Sequence, residues 1–465
     1  MYEFVNPIIS IPFIKNVIFD SKRLNNLTPK NMLKYRNNAL KKTIKYAYTV
    51  PLYKKKYESA DIHPSDIKDI NDIKKLPFIT KKDIVDNFPN GIVPINYNKD
   101  KAQVVSTSGS TGKPVTFYTD FSTMSRTAGL NLRSLNMFNL NWRKVRVAHI
   151  GNFSQGKADS AFEKGFFSKL RLFYNSNNYL LLNNFDPIKD IIEKLDNFNP
   201  DIILSYPITF KNLAFLKNKG YGKNIKPKVL NVGGYVLDEY TKKYVEDAFN
   251  CRMLNVYSSA ESGADIAFEC MEGTWHINHD FYHVETVDEN MNVLGEGKLG
   301  HILITRLFGQ GTPIIRYLGM DDWIKLVDNY SCKCGLNTPI IKDGVRGRTS
   351  TCVVLPDGRV FPSASFAIIS VILNDLKTKK VSQFQIVQKK IDEIDILIVI
   401  DEDLRDVGVS VDLIIKHITE AYERKVGPDV TINVKEVKEI KSLKGKPSPL
   451  LISHVKINNG YTLVD

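Results

Sequence analysis

Cysteine is scarce in this sequence, five in 465 residues, too few and too scattered for the disulfide framework of a small secreted scaffold. Long apolar runs are missing as well. The longest uncharged stretch, Val360 to Asn374, falls short of a bilayer's thickness and contains Pro362 and several serines. Near the N-terminus, Phe4 to Phe19 is apolar in patches, but Pro7, Pro12 and Lys15 interrupt it. Neither the basic start nor the small-residue cleavage site of a signal peptide is there. These absences predict a soluble, cytoplasmic protein without a membrane span. No dense basic run with interleaved aromatics accompanies the net charge of +13, and the lysines are spread along the whole chain. That pattern suits anionic small-molecule substrates and predicts no nucleic-acid partner.

What is present is the profile of a folded protein, 43% apolar and 25% charged. Residues 28 to 60 read as helical, with Leu33, Leu40, Ile44 and Ala47 forming an apolar stripe between lysines. Pro77 breaks the pattern and Thr80 offers an N-cap for the next helix. From about 100 to 345, strand-like runs (Val145 to Ile150, Ile202 to Ser205, Val229 to Val232, Met253 to Tyr257) alternate with helix-like stretches at 187 to 198 and 237 to 249. Such alternation predicts an α/β architecture. The stretch 281 to 327 is richer in β signals. A boundary is expected near Gly347 to Thr351, which divides the chain into a large, multi-lobed unit, 1–347, and a small α+β unit, 348–465. In the small unit we expect a strand pair around Pro356 to Arg359, a helix at 363 to 376, a strand at 393 to 400, a helix at 410 to 424 and a strand at 430 to 437.

The most informative segment is Ser106-Thr107-Ser108-Gly109-Ser110-Thr111-Gly112-Lys113-Pro114. Hydroxyl residues mixed with two glycines give a loop whose backbone N–H groups can approach a polyphosphate, assisted by Lys113. It is not the P-loop of NTPases, which needs four residues between its glycines and a Ser or Thr after the lysine.

In its ordered hydroxyls, glycines and lysine this segment resembles the phosphate loop of the adenylate-forming (acyl-AMP) superfamily, and later segments follow that superfamily's order. Asn231-Val-Gly233-Gly234 resembles its adenine-side loop, and Tyr257-Ser258-Ser259-Ala-Glu261 its Tyr-x-x-x-Glu segment. Arg316-Tyr-Leu-Gly-Met-Asp321 is similar to Arg-Tyr-x-x-Gly-Asp, Gly347-Arg348 to the Gly-Arg that opens the hinge, and Gly445-Lys446 to the C-terminal lysine motif. Val50-Pro-Leu-Tyr53, Leu76-Pro-Phe-Ile-Thr-Lys81 and Gly311-Thr-Pro-Ile-Ile-Arg-Tyr317 resemble the phenylacetate–CoA ligase group, which includes capsule-biosynthesis members.

The resemblance implies ATP-dependent activation of a carboxylic acid as its acyl-adenylate by an enzyme whose small domain is mobile. It implies Tyr257 packed on adenine beside Ser258 and Ser259, Glu261 on magnesium, and Asp321 on the ribose. Arg348 and Lys446 join Glu261 as catalytic residues. No general base is needed, because a carboxylate is already ionised. The acyl acceptor stays open among coenzyme A, a carrier thiol, and a sugar or amine in capsule or cell-surface polysaccharide synthesis. Two other classes compete: a non-catalytic nucleotide- and zinc-binding protein, and a basic zinc protein that binds nucleic acid. The acid pocket is expected near Ser205 to Pro207, Gly233 to Tyr235 and Ser258 to Ala260.

Two departures stand out. Thr351 occupies the position of the hinge aspartate, and Met320 replaces the glycine before Asp321, with Asp322 following, so the ribose assignment can slip by one residue. Separately, Cys270-x5-His276 and Cys332-Lys-Cys334-Gly335 supply three thiolates and an imidazole, the donors tetrahedral zinc prefers. Four protein ligands leave no open position, so the zinc is expected to be structural. His279 and His283 are spare candidates, and His279 is expected near the substrate pocket.

Overall fold

Continuous apolar runs such as Ile202-Ile-Leu and Val229-Leu suit strands buried on both faces, the signature of a parallel sheet covered by helices. The computed structural model describes residues 7–107, 114–153, 176–440, 449–457 and 461–465. A hairpin comes first, β1 (Gln103–Ser106) with β2 (Thr116–Thr119). Then follow β3 (Val147–Gly151), β4 (Tyr179–Asn183), β5 (Ile202–Ser205), β6 (Val229–Val232) and β7 (Met253–Ser258). These five pair in parallel, in the order β4-β3-β5-β6-β7.

From β7 onward the same sheet turns antiparallel. It takes in β8 (Asp265–Glu269), β9 (Trp275–Ile277), β10 (Tyr282–Val287), β11 (Leu299–Arg306), β12 (Asp322–Val327) and β13 (Ile340–Arg348). The full order is β10-β11-β12-β13-β9-β8-β7-β6-β5-β3-β4, eleven of the described strands.

Helices α1 (Pro7–Asn26), α2 (Pro29–Ala47), α3 (Pro51–Ser59), α4 (Lys81–Asn87) and α5 (Phe121–Met137) precede the parallel half. Thr80 caps α4 as expected, accepting from Asp83 N. Helices α6 (Ile188–Phe198), α7 (Pro207–Asn218) and α8 (Glu239–Phe249) connect the parallel strands. Ile191, Ile192 and Leu195 of α6 are buried, and Asn199 ends the helix in the left-handed conformation.

After Arg348 the chain builds β14 (Cys352–Val354), β15 (Arg359–Pro362), short helices α9 (Ser363–Phe366) and α10 (Ile369–Asp375), and β16 (Val381–Lys390). Then come β17 (Glu393–Ile400), α11 (Val411–Val426), β18 (Thr431–Glu436), β19 (Leu451–Ser453) and β20 (Thr462–Leu463). They form one sheet β18-β17-β16-β19 and another β14-β15-β20. This part packs on α8: Tyr240 Oη donates to Val381 O at 3.1 Å and Ser370 Oγ to Asp238 Oδ1 at 2.8 Å.

Three expectations are corrected. The helix over 28 to 60 is two helices, because Pro51 lacks an N–H and starts a new one; Leu33 is 47% exposed, and Met32 is buried on that face instead. The stretch 363 to 376 breaks at Ala367 into α9 and α10. The strand expected over Val145 to Ile150 runs instead from Val147 to Gly151, and residues 7–26, for which no element was expected, form a helix. No helix among the described residues is long and apolar enough to cross a membrane.

Candidate active site

A cavity of about 1840 Å³ opens beyond the C-terminal ends of β5, β6 and β7, where ligands bind in parallel α/β sheets. Its far walls are the Gly319–Asp322 loop, the end of β13, α9–α10 and residues 449–453. Small residues set its shape. Gly234 has φ +82°, and a Cβ there would stand 3.0 Å from the Tyr206 ring, which therefore lies directly on the glycine backbone. A Cβ on Gly233 would meet Val256 O at 3.1 Å. Only glycine permits both approaches. Tyr206 and Tyr235 meet edge to face, with centroids 5.9 Å apart. Of the expected acid pocket, Tyr206, Gly234, Tyr235 and Ser258 to Ala260 line the cavity, whereas Ser205, Pro207 and Gly233 do not.

Among the carboxylates that line this space, Glu261, Asp321 and Asp322 are each harder to ionise than usual because burial removes their water. Glu261, 8% exposed, is pushed up by burial, which its own backbone N–H, Ser259, Arg348 and Lys81 partly offset. Asp321 is raised by burial and by its neighbour Asp322. Its φ is +59°, a left-handed conformation that aspartate tolerates, and its carboxylate takes no hydrogen bond or ion pair among the described residues. Asp322 is engaged on both oxygens: Tyr257 Oη donates to Oδ2 at 2.8 Å and Arg348 Nε to Oδ1 at 3.2 Å. The neighbouring aspartates thus differ in availability. Asp321 is free for a ligand, and Asp322 serves the protein.

Lys81, at the start of α4, lines the same cavity and electrostatically favours the ionised forms of Glu261 and Asp321. Reasoning from the sequence missed it. Its signal lay in Leu76-Pro-Phe-Ile-Thr-Lys81, which was used only to place a helix start and a resemblance. Arg348 is held more firmly protonated by Asp322. Thr351 bridges the Arg348 backbone, its Oγ1 accepting from Arg348 N and donating to Arg348 O, both at 3.3 Å.

Ser108, Gly109, Ser110, Thr111, Gly112, Lys113 and Lys446 lie outside the described residues. The residues flanking them, Ser106 and Thr107 on one side and Pro449 to Ser453 on the other, line the cavity. The expectation for His279 is corrected. It is buried beside Arg36, Asp280 and Arg133, and it does not line the cavity. It forms part of a buried polar cluster in which Asp280 accepts from Arg23 and Arg133, and His283 Nδ1 pairs with Arg36 at 3.0 Å.

On the antiparallel half, the ligand atoms of Cys270, His276, Cys332 and Cys334 all lie within 4.8 Å of one another. Cys270 Sγ is 3.8 Å from Cys332 Sγ, and Cys334 Sγ is 3.2 Å from His276 Nε2. Two thiolates on a tetrahedral zinc stand about 3.8 Å apart, so the first spacing fits the ion. His276 Nδ1 is bonded to Thr338 Oγ1 at 2.8 Å, which turns Nε2 toward the thiols, and burial holds the imidazole neutral, its pKa lowered to about 4. The donors fit zinc.

No protein-family model matches the chain. Among solved structures, 2-hydroxyisobutyryl-CoA ligase in its postadenylation state superposes with a TM-score of 0.76, at 18% identity, over 93% of this chain and 91% of the other. The fold is that of the adenylate-forming enzymes. With the same ligase in its thioesterification state this adenylate-forming fold superposes at 0.60, so the arrangement described here is nearer the former state. In sequence, the chain is 26% identical over 337 residues to phenylacetate-coenzyme A ligase of Escherichia coli (strain K12), covering 70% of this chain and 72% of that protein. It is 24% identical over 400 residues to protein CapK of Staphylococcus aureus, covering 83% and 81%.

Proposed function

We propose that this protein is an AMP-forming carboxylate ligase: it joins a carboxylic acid to the α-phosphate of ATP, releases pyrophosphate, and passes the acyl group to an acceptor. The observation that carries the reading is the convergence of Tyr257, Glu261, Asp321 and Arg348 on one cavity in an adenylate-forming fold. Attack of a carboxylate on a phosphate brings two anions together, so positive charge must be concentrated where they meet. Arg348 and Lys81 bring it from two walls, and Ser108 to Lys113 with Lys446 supply more. Magnesium would be held by Glu261, a carboxylate whose burial raises its pKa against the pull of Arg348 and Lys81; when bound, the ion neutralises phosphate charge. Asp321 accepts from the ribose hydroxyls, while Tyr257 and Gly234 bound the adenine.

The units 1–347 and 348–465 act as an adenylation domain and a mobile domain that carries Lys446. Zinc would occupy Cys270, His276, Cys332 and Cys334 and fasten β8–β9 to the β12–β13 connection, without touching substrate. Coenzyme A is the favoured acceptor, since the E. coli relative is named for a coenzyme A ligation.

Acid-dependent ATP–pyrophosphate exchange over aromatic acids, amino acids and sugar acids tests the proposal. Exchange with at least one acid is expected, and nucleotide binding without exchange across the panel favours the non-catalytic alternative.

A further inference from the structure

Asp322 is buried at 3% exposure in the wall of the cavity, at the first position of β12, where it pairs in register with Arg348 of β13. Its two oxygens serve two different elements. Tyr257 reaches it from β7, on the far side of β8, β9 and β13 in the sheet order. The phenol is therefore fixed at both ends, by its strand and by Asp322, and the ring cannot tilt without breaking a buried hydrogen bond. Arg348 is the last residue of β13, immediately before the turn Thr349–Thr351 that leads into the smaller sheets. With Nε spent on Asp322, the rest of its guanidinium remains directed by that one contact. Thr351 adds no charge at the turn and binds only the Arg348 backbone, so among the described residues Asp322 is the sole carboxylate paired with this arginine.

We propose that Asp322 is a positioning residue for the nucleotide, which sets the Tyr257 ring and the Arg348 guanidinium in one geometry before ATP arrives and so couples the adenine platform to the start of the mobile domain. The inference rests on the adenylation reading for the identity of the ligand. A side chain held in its bound geometry spares the ligand the entropy of ordering it, and a hydrogen bond to a charged acceptor is among the stronger ones for doing so.

Calorimetric titration of the full-length protein with magnesium and a non-hydrolysable ATP analogue tests this in the parent, Asp322→Asn, Tyr257→Phe and the double variant. Asp322→Asn should weaken analogue binding by about tenfold. Tyr257→Phe, which removes only the hydroxyl donated to Asp322, should reproduce part of that loss. Adding Asp322→Asn to Tyr257→Phe should cost clearly less than it does in the parent, because the two act through one contact. In the exchange assay the loss should fall on the KM for ATP and leave the KM for the acid within about twofold. Affinity of Asp322→Asn within twofold of the parent, strict additivity, or an equal rise in both KM values overturns the proposal. Where Asp322→Asn does not fold, Tyr257→Phe decides: binding within twofold of the parent overturns it. A parent that binds the analogue and shows these losses, yet exchanges pyrophosphate with no acid, removes the ligase reading and leaves this one standing. A parent that binds no nucleotide overturns both.

Discussion

The two halves of the eleven-stranded sheet bring polar residues together by different means. In the parallel half, Tyr206, Gly234, Tyr235 and Ser258 to Glu261 follow strand ends, where the ladders fix the backbone and the side chains face open space. In the antiparallel half, Cys270 from the β8–β9 turn, His276 from β9, and Cys332 and Cys334 from the β12–β13 connection gather their ligand atoms within 4.8 Å of one another. Among the described residues, one cluster leaves the Asp321 carboxylate without a hydrogen bond and Glu261 buried, while the other is closed, with its imidazole fixed by Thr338. An open cluster with dissatisfied charges is suited to binding and chemistry, and a closed four-donor cluster to holding chain segments together.

Substitutions in the two halves should therefore have separable effects. The largest is expected for Glu261→Gln, which removes the charge of the proposed magnesium ligand while preserving shape. Acid-dependent exchange should fall by at least about a hundredfold with little change in Tm. Activity within a few-fold of the parent would take Glu261 out of the metal role.

Lys446→Ala should lose about as much kcat while binding ATP normally by calorimetry, since on the proposed reading domain closure brings this lysine to the transition state. Lys444→Ala, at the neighbouring lysine in Lys444-Gly445-Lys446, should be much milder. If the two lysine variants behave alike, the C-terminal motif has been placed in the wrong register.

In the antiparallel half, Cys332→Ser should lower the zinc content from about one per chain and reduce Tm by several degrees, leaving the KM for ATP within about twofold. A variant that keeps both its metal and its Tm contradicts the zinc assignment.

The smallest effect is on pH dependence. The proposed magnesium site needs Glu261 ionised, and burial raises its pKa, so exchange should decline on the acid side at a pH above the ordinary glutamate value. Saturating magnesium should shift that limb downward, because the ion competes with the proton. A limb insensitive to magnesium would assign it to another group.

The centre of the parallel half was legible in the sequence, whereas its edge strand β4 and helix α7 were not expected. β5 and β6 match their expected bounds, because strands buried on both faces are written as unbroken apolar runs. The Cys and His residues were legible too, since few other side chains serve zinc. β16, the longest of the described strands, escaped notice because the buried residues Gln385 and Gln388 interrupt its apolar pattern. Gln388 exchanges hydrogen bonds with Val354 across the two small sheets, so a polar residue does a core residue's work. Lys81 was missed for a related reason: a lysine at a helix start reads as solvated until the fold brings Glu261 and Asp321 near it. The choice between Asp321 and Asp322 could not be made from sequence, because it depends on a phenol reaching across from β7.

The measurement closest to the central claim follows oxygen. With a substrate acid labelled with oxygen-18 in its carboxylate, turnover through an acyl-adenylate leaves one labelled oxygen on the phosphate of AMP, because the acceptor attacks the acyl carbon and the bridging oxygen departs with AMP. Labelled AMP, dependent on Glu261 and unaffected by Cys332→Ser in material that remains folded, is the expected result. Unlabelled AMP, or ADP and phosphate in its place, would contradict acyl-adenylate formation by this protein.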